Sequence, residues 1–368
     1  NNPTRPQEAS GTSGMSANAK YVVGTNYSYF APCIWDTETN DFVNFPQYEE
    51  GVLHVVNNDG VAVGSSRNNG GKAMIVHTDG TSEILKDNGG ANTQGSDAWC
   101  VSADGKTIGG FYYYFEWKNE EQTEGFYATF PCVWQDKKCI TLPYPSKNEI
   151  GFNIDGAGLR WMSADASILL GYLVDDMATW PIIIWRKNAE GNYEYDASLC
   201  QRFYGEKYAS GKPYMKFSPA ALSANGEWIV LTVQKSFDEN GSNIPSDKIA
   251  RYNLKTDQLE VLGGGIDEMV APSAISDEGT VLMYTSNGDI FGRTGYVWKA
   301  GETKAIIIDD MLRKVNGMPD FNTNTPVTFA ADNKTILGFC IDDTRNFFSY
   351  VIDINKMEEA INGIQKPT

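Results

Sequence analysis

The 368-residue chain contains no apolar run approaching the ~18 residues that span a bilayer, so no transmembrane segment is expected. It has two histidines and six cysteines, with neither an HExxH nor a CxxC pattern, which removes the common zinc arrangements. No P-loop is present, and no GxGxxG follows a strand and opens a helix, so nucleotide binding has no support. Basic residues are few: 30 Lys and Arg stand against 47 Asp and Glu, for a formal charge of −17. Phosphate backbones and anionic lipid are held by Lys and Arg, so this balance argues against nucleic-acid and membrane-surface partners. Long stretches of Ala, Leu, Glu and Lys, the usual material of helices, are also missing.

What is abundant points to strands. Glycine numbers 36 residues and aromatics make up 12%, a composition suited to pleated surfaces joined by tight turns. Comparing the chain with itself finds one pattern many times over: a short apolar segment, Ser-Ala-Asp/Asn-Gly, then a β-rich run ending in glycine. It occurs as MSANAKYVVG from Met15, VNNDGVAVG from Val56, VSADGKTIGG from Val101 and MSADASILLG from Met162. Weaker forms are LSANGEWIVL from Leu222, ISDEGTVLMY from Ile275 and FAADNKTILG from Phe329. A second landmark follows each copy, such as APCIWD at Ala31, FPCVWQ at Phe130 and PIIIWR at Pro181; His77 falls where other copies carry tryptophan.

Each repeat therefore divides into four short strands, A to D. The Ser-Ala-Asp-Gly turn joins A to B, and a tight turn joins C to D. Asp104-Gly105 tolerates the positive φ of a hairpin, and the Asx side chain bonds its own backbone two residues on. Glycines such as Gly24, Gly110, Gly171 and Gly338 are expected to permit close backbone approach near an axis. A serine repeated in this way is a turn device, not a nucleophile. The fold predicted is all-β: a seven-bladed β-propeller of four-stranded antiparallel blades. Residues 1–14 are expected to be a flexible N-terminal segment, 15–356 the single propeller domain and 357–368 a C-terminal tail. How the ring closes is left open, because the last repeat has no obvious fourth strand. Most of the cysteines are expected to be buried thiols.

The repeats resemble two groups of propellers. VSADGKTIGG with its tryptophan-closed strand is similar to the extracellular repeats of bacterial surface proteins, and LSANGEWIVL followed by IARYNLKTDQLEVL resembles TolB-like blades. The resemblance spans residues 15–356 and implies a bacterial protein that is secreted, periplasmic or on the outer surface. It implies little about function, because propellers host many. The sialidase Asp-box does not fit: Gly105 follows Asp104 directly and Ile108 stands where Trp is required.

The longer connections fall on the B–C and D–A side of the repeats, including Tyr112 to Gly125, Pro143 to Gly158, Gln201 to Ser218 and Ser236 to Asp247. Loops on a rigid scaffold carry binding residues. The candidate ligand-binding set is Tyr112, Tyr114, Trp117, Asp175, Asp176, Trp180, Arg293, Asp342, Asp343 and Arg345. Aromatic rings beside carboxylates and arginines suit sugars and protein surfaces alike. The expected function is a binding module for an extracellular protein or glycan, acting as a monomer. The alternative is a carboxylate-dependent glycan-active enzyme of the hydrolase or lyase type, which would need two convergent carboxyls. No catalytic residues and no cofactor are assigned. Calcium, which needs only oxygen ligands, stays open at Asp175-Asp176 and Asp342-Asp343. His54, in the short strand LHVV, is taken as a packed or edge residue.

Overall fold

The computed structural model describes residues 9–26, 31–67, 70–90, 93–117, 121, 123, 125–150, 153–175, 180–203, 215–237, 243–244, 249–262, 270–285, 291–315 and 318–355. Its strands group into successive antiparallel meanders. The first is Ala9–Met15 (β1), Tyr21–Asn26 (β2), Ala31–Asp36 (β3) and Phe42–Asn44 (β4). The second is Val52–Val56 (β5), Val61–Ser66 (β6), Lys72–His77 (β7) and Ser82–Ile84 (β8). The third is Gly95–Val101 (β9), Thr107–Trp117 (β10), Gly125–Gln135 (β11) and Lys138–Thr141 (β12). One parallel bridge, Thr129 to Gly156, links it to the fourth. That unit is Ile154–Met162 (β13), Ile168–Asp175 (β14), Ile182–Lys187 (β15) and Tyr193–Tyr195 (β16).

The fifth unit has Met215–Leu222 (β17), Trp228–Phe237 (β18), Ile249–Asn253 (β20) and Gln258–Val261 (β21), with Asn243–Ile244 (β19) paired to β18. The sixth is Val270–Ile275 (β22), Val281–Thr285 (β23), Gly295–Trp298 (β24) and Ile306–Ile307 (β25). The last has three strands among the described residues: Thr323–Phe329 (β26), Thr335–Ile341 (β27) and Phe347–Asp353 (β28). The segment 1–14, expected to be flexible, contributes Ala9 to Gly14 to β1. It pairs with β2 as the inner strand of the first unit instead of completing the last. The tail 357–368 lies outside the described residues.

The turns behave as their chemistry dictates. Ser102 Oγ donates to Asp104 Oδ1 at 2.6 Å and accepts from Thr107 N at 3.0 Å, so one buried hydroxyl closes the A–B hairpin. Ser16, Ser163 and Ser223 do the same. The turns are then tied to each other. Asn18 N donates to Asn58 Oδ1, Asn57 Nδ2 to Ala103 O, Ala103 N to Ala164 O, and Ala164 N to Ala224 O. Asn225 N continues to Asp277 Oδ1, Asp277 N to Asn333 Oδ1, and Ala331 N returns to Ala17 O at 2.7 Å. The circuit ends on the unit where it began.

Apolar packing follows the same circuit. Each buried cluster joins two consecutive units: Ile34 with Leu53, Val63 with Val133's neighbour Cys132, Cys100 with Leu159, Ile184 with Ile229, Val230 with Val281, and Leu282 with Ile336. The closing cluster, Met15 and Val22 against Ala330 and Leu337, is the smallest. Among the described residues, the first and last units therefore meet by packing and one turn-to-turn hydrogen bond, with no strand shared between them. All six cysteines are free; five are buried, and burial pushes the Cys33 thiol up to about 12.

Candidate functional site

The inner strand of every unit carries the same irregularity. The β1–β2, β5–β6, β9–β10, β13–β14, β17–β18, β22–β23 and β26–β27 pairings each skip one residue near the end of the inner strand. The skipped residues are Ser13, His54, Trp99, Arg160, Ala220, Ser273 and Val327. Each stands three positions before its turn residue, from Ser16 to Ala330. A β-bulge of this kind re-aims a side chain, and bulges concentrate beside functional sites. Ser13, His54, Trp99, Arg160, Ser273 and Val327 all line one axial cavity of about 450 Å3. Glycine opposite the bulge makes room for it. A Cβ at Gly64, Gly110 or Gly171 would meet the carbonyl oxygen of Val52, Asp97 or Gly158 on the inner strand.

Three of the bulge residues that line this cavity, His54, Trp99 and Arg160, are contiguous. His54 Nε2 lies 3.1 Å from Asp97 Oδ1, and the imidazole stacks on the Trp99 indole at 3.7 Å with planes 10° apart. From the next unit, the Arg160 guanidinium lies 4.3 Å from the centre of the same indole and 5.2 Å from that of Tyr172. Two groups so near one ring centre cannot share a face, so the indole is held between them. Burial raises the Tyr172 hydroxyl's pKa, and the adjacent Arg160 opposes that rise. Trp99 Nε1 and Arg160 Nε are both shielded from solvent and have no acceptor among the described residues. Tyr172 in turn contacts Trp180 at 6.1 Å, so a chain of rings and charge leads from the axis to an exposed tryptophan.

The described residues of the set expected from the sequence lie at the B–C ends of the sheets, opposite the Ser-Ala-Asp-Gly turns, in local groups. The first group belongs to β10 and β11. The segment expected as a loop from Tyr112 is in fact strand as far as Trp117, because the β-prone run YYYFEW pairs residue by residue with GFYATF. Tyr112 is therefore buried in the sheet, stacked on Phe130 at 5.2 Å, with its hydroxyl 2.9 Å from Thr141 Oγ1. Tyr114 stacks on Phe130 from the other side of the register at 4.9 Å. Tyr112 and Tyr114 line an open cleft with Asn88, Gln94 and Glu116.

Past Tyr113 the hairpin has no partner from β9. Its end is an aromatic finger: Phe115 meets Trp117 edge-on at 4.7 Å and Tyr127 at 5.3 Å, and Tyr127 meets Tyr113 at 5.8 Å. Trp117 is 50% exposed and Tyr127 55%.

In the fourth unit, Asp175 is buried as the last residue of β14, while Trp180 is 45% exposed with a positive φ of 45°. Asp176 lies outside the described residues. Between the sixth and last units, Arg293 lies over Tyr284 at 4.7 Å and Arg345 over Phe291 at 5.0 Å. Asp343 accepts from Asn322 Nδ2, and Asp342 accepts from the Thr344 and Asn346 backbone within its own turn. Among the described residues, no three His, Cys, Asp or Glu side chains gather as a metal site.

The axial residues escape a reading of the motifs because they sit where the repeats disagree. The turn, the glycine and the tryptophan recur, whereas the position three before the turn reads Ser, His, Trp, Arg, Ala, Ser and Val. In a ring of like units, that variable inner position is the signal for the axis.

No protein-family model matches this chain, and no curated protein matches its sequence. Solved structures match in shape. A puromycin-hydrolyzing peptidase of Mycobacterium tuberculosis is 7% identical with a TM-score of 0.56, covering 97% of this chain and 54% of the peptidase chain. Hydrazine synthase of Kuenenia stuttgartiensis is 10% identical with a TM-score of 0.52, covering 96% and 97%. The β-propeller domain of Myceliophteria thermophila Cps50 (Swd1) is 11% identical with a TM-score of 0.47, covering 79% and 83%. At such identities the likeness is one of fold. Meanders of antiparallel strands arranged in a circuit around an axial cavity define that fold as a β-propeller.

Proposed function

We propose that this chain is a seven-bladed β-propeller that acts as a binding module, with its ligand on the face of the B–C and D–A loops. The observation that carries this is the aromatic finger of β10 and β11. Exposed hydrophobic residues gathered into one patch mark interaction sites more than single ones do. Here Trp117 and Tyr127 are held edge-on by Phe115, so they are presented with little loss of side-chain freedom on binding. Rings of this kind stack on the apolar faces of sugars or anchor a protein partner. Trp180, Arg293, Asp343 and Arg345 on the same side supply further stacking and charge. A glycan is the ligand class favoured here, and a secreted or cell-surface location in a bacterium follows from the repeat resemblance.

The test is calorimetric titration of a panel of bacterial and host glycans into the protein and into a Trp117→Ala/Tyr127→Ala variant. A glycan that binds the parent is expected to bind the variant at least about tenfold more weakly, at the same melting temperature. Undiminished binding by the variant would remove the finger from the site. A glycan cut during the titration would favour the carboxylate-dependent enzyme instead.

A further inference from the structure

We propose that the axial cavity is a second binding site, taking the carboxylate of a small apolar-bodied molecule or of a chain end through Trp99 and Arg160. The two unpaired groups are both N–H donors. Neither a tryptophan indole nor an arginine can accept a hydrogen bond, so the group they lack must be an acceptor. The charge of Arg160 favours an anionic one, and charge-assisted bonds to guanidinium are the strong case. The nearby carboxylate, Asp97, faces His54, whose Nε2 lies 3.1 and 3.2 Å from its two oxygens, and bonds neither of the two donors.

The other polar groups that the bulges bring to the axis do not compete. Ser13 Oγ donates to the Leu53 carbonyl and Ser273 Oγ to that of Leu282. The lining includes the apolar Met15, Met162, Val327 and Phe329 and, from the turns, Asn57, Asn58, Asp277 and Asn333. The volume of about 450 Å3 falls within the range of small-molecule sites. The donors are also preorganised: the indole is wedged between His54 and Arg160, and each side chain is fixed by a bulge in an inner strand.

The experiment uses the whole 15N-labelled chain and follows the indole N–H signal of Trp99, identified by its disappearance in Trp99→Phe. The probes are benzoate, and N-acetyl-alanyl-phenylalanine with a free carboxyl end. Each is compared with its neutral amide. At least one carboxylate is expected to shift the Trp99 signal saturably, with its amide about tenfold weaker or worse. Arg160→Met should weaken that probe by about tenfold or more, and Arg160→Lys, which keeps the charge but not Nε, should restore only part. Trp117→Ala should leave it unchanged, which separates this site from the aromatic finger. Response to benzoate assigns the site to a free small molecule, and response to the dipeptide alone assigns it to a chain end. No saturable shift by either carboxylate, or an amide that binds as well, would overturn the proposal. That comparison on the parent protein stands even where an Arg160 variant fails to fold.

Discussion

Two glycines eight or fewer residues from the same turn serve different purposes, and their substitution separates them. Gly105 has φ +71°, a conformation that disfavours any Cβ, with the nearest neighbour of an added Cβ the Asn57 side chain at 3.1 Å. Gly105→Ala is expected to destabilise by about 1–2 kcal/mol. Gly110 needs no unusual φ, but its Cβ would be driven into the main chain of Asp97. Gly110→Ala is expected to cost about 3 kcal/mol or more, because backbone cannot rotate away as a side chain can. Chemical denaturation of both variants measures the order; equal losses would mean that the bulge can relax.

The turn aspartates set a pH dependence. Asp104 is held below the usual carboxylate range by the Ser102 hydroxyl and then by Lys106 N. A folded-state pKa below the unfolded one contributes stability that is present above about pH 4 and lost as pH falls through the folded value. Asp309 has the opposite sign: burial raises it despite bonds from Asn324 and Gly295, so its contribution is lost as pH rises through its folded value. Melting curves from pH 7 to 3 should therefore drop below about pH 4, with a shallower drop in Asp104→Asn. An unchanged drop in that variant would show that the turn is not a source of acid sensitivity.

At the scale of elements, the hairpins were legible because their chemistry is local. Ser102, Asp104 and Gly105 lie within one turn, so residue type alone dictates the bond pattern. The finger reads as a loop in the sequence because the charges after Trp117 resemble a turn, whereas Tyr112 to Trp117 obeys its β-propensity and pairs with β11. The bulges had no residue signature at all. Ser13, His54, Trp99 and Arg160 share a position, not a chemistry, and only the pairing register reveals them.

Arg251 was equally hidden, lying in β20 among apolar residues. Its guanidinium is fully buried, 4.1 Å from the centre of the Trp298 ring. It donates to the carbonyls of Gly279 and Lys299 and to Glu260 Oε2 at 2.8 Å. It clamps the fifth unit to the sixth. Arg251→Met should lower stability by about 3 kcal/mol, since the carbonyls lose a charged donor within the protein. Denaturant midpoints within error of the parent would show that the clamp adds nothing net.

For the molecule as a whole, the order of units followed from the repeats, while the manner of closure did not. The last repeat shows no obvious fourth strand in its sequence and nothing there says what takes its place, while Ala9 to Met15 pair with β2 in the first unit. Closure rests on Met15, Val22, Ala330 and Leu337 and on the Ala331 to Ala17 hydrogen bond. Both the axial cavity and the common loop face depend on that junction, because an open chain of units would have neither.

The most direct measurement is therefore a cross-link across it, in an Ala17→Cys/Ala331→Cys variant oxidised under native conditions. A main-chain hydrogen bond of 2.7 Å joins these two residues, and a disulfide spans Cα atoms about 4.4–6.8 Å apart. The expected result is an intramolecular disulfide between residues 17 and 331, formed in the monomer with native circular dichroism and identified by peptide mapping. A variant that stays reduced while folded, or that links only between molecules, would contradict the closed ring.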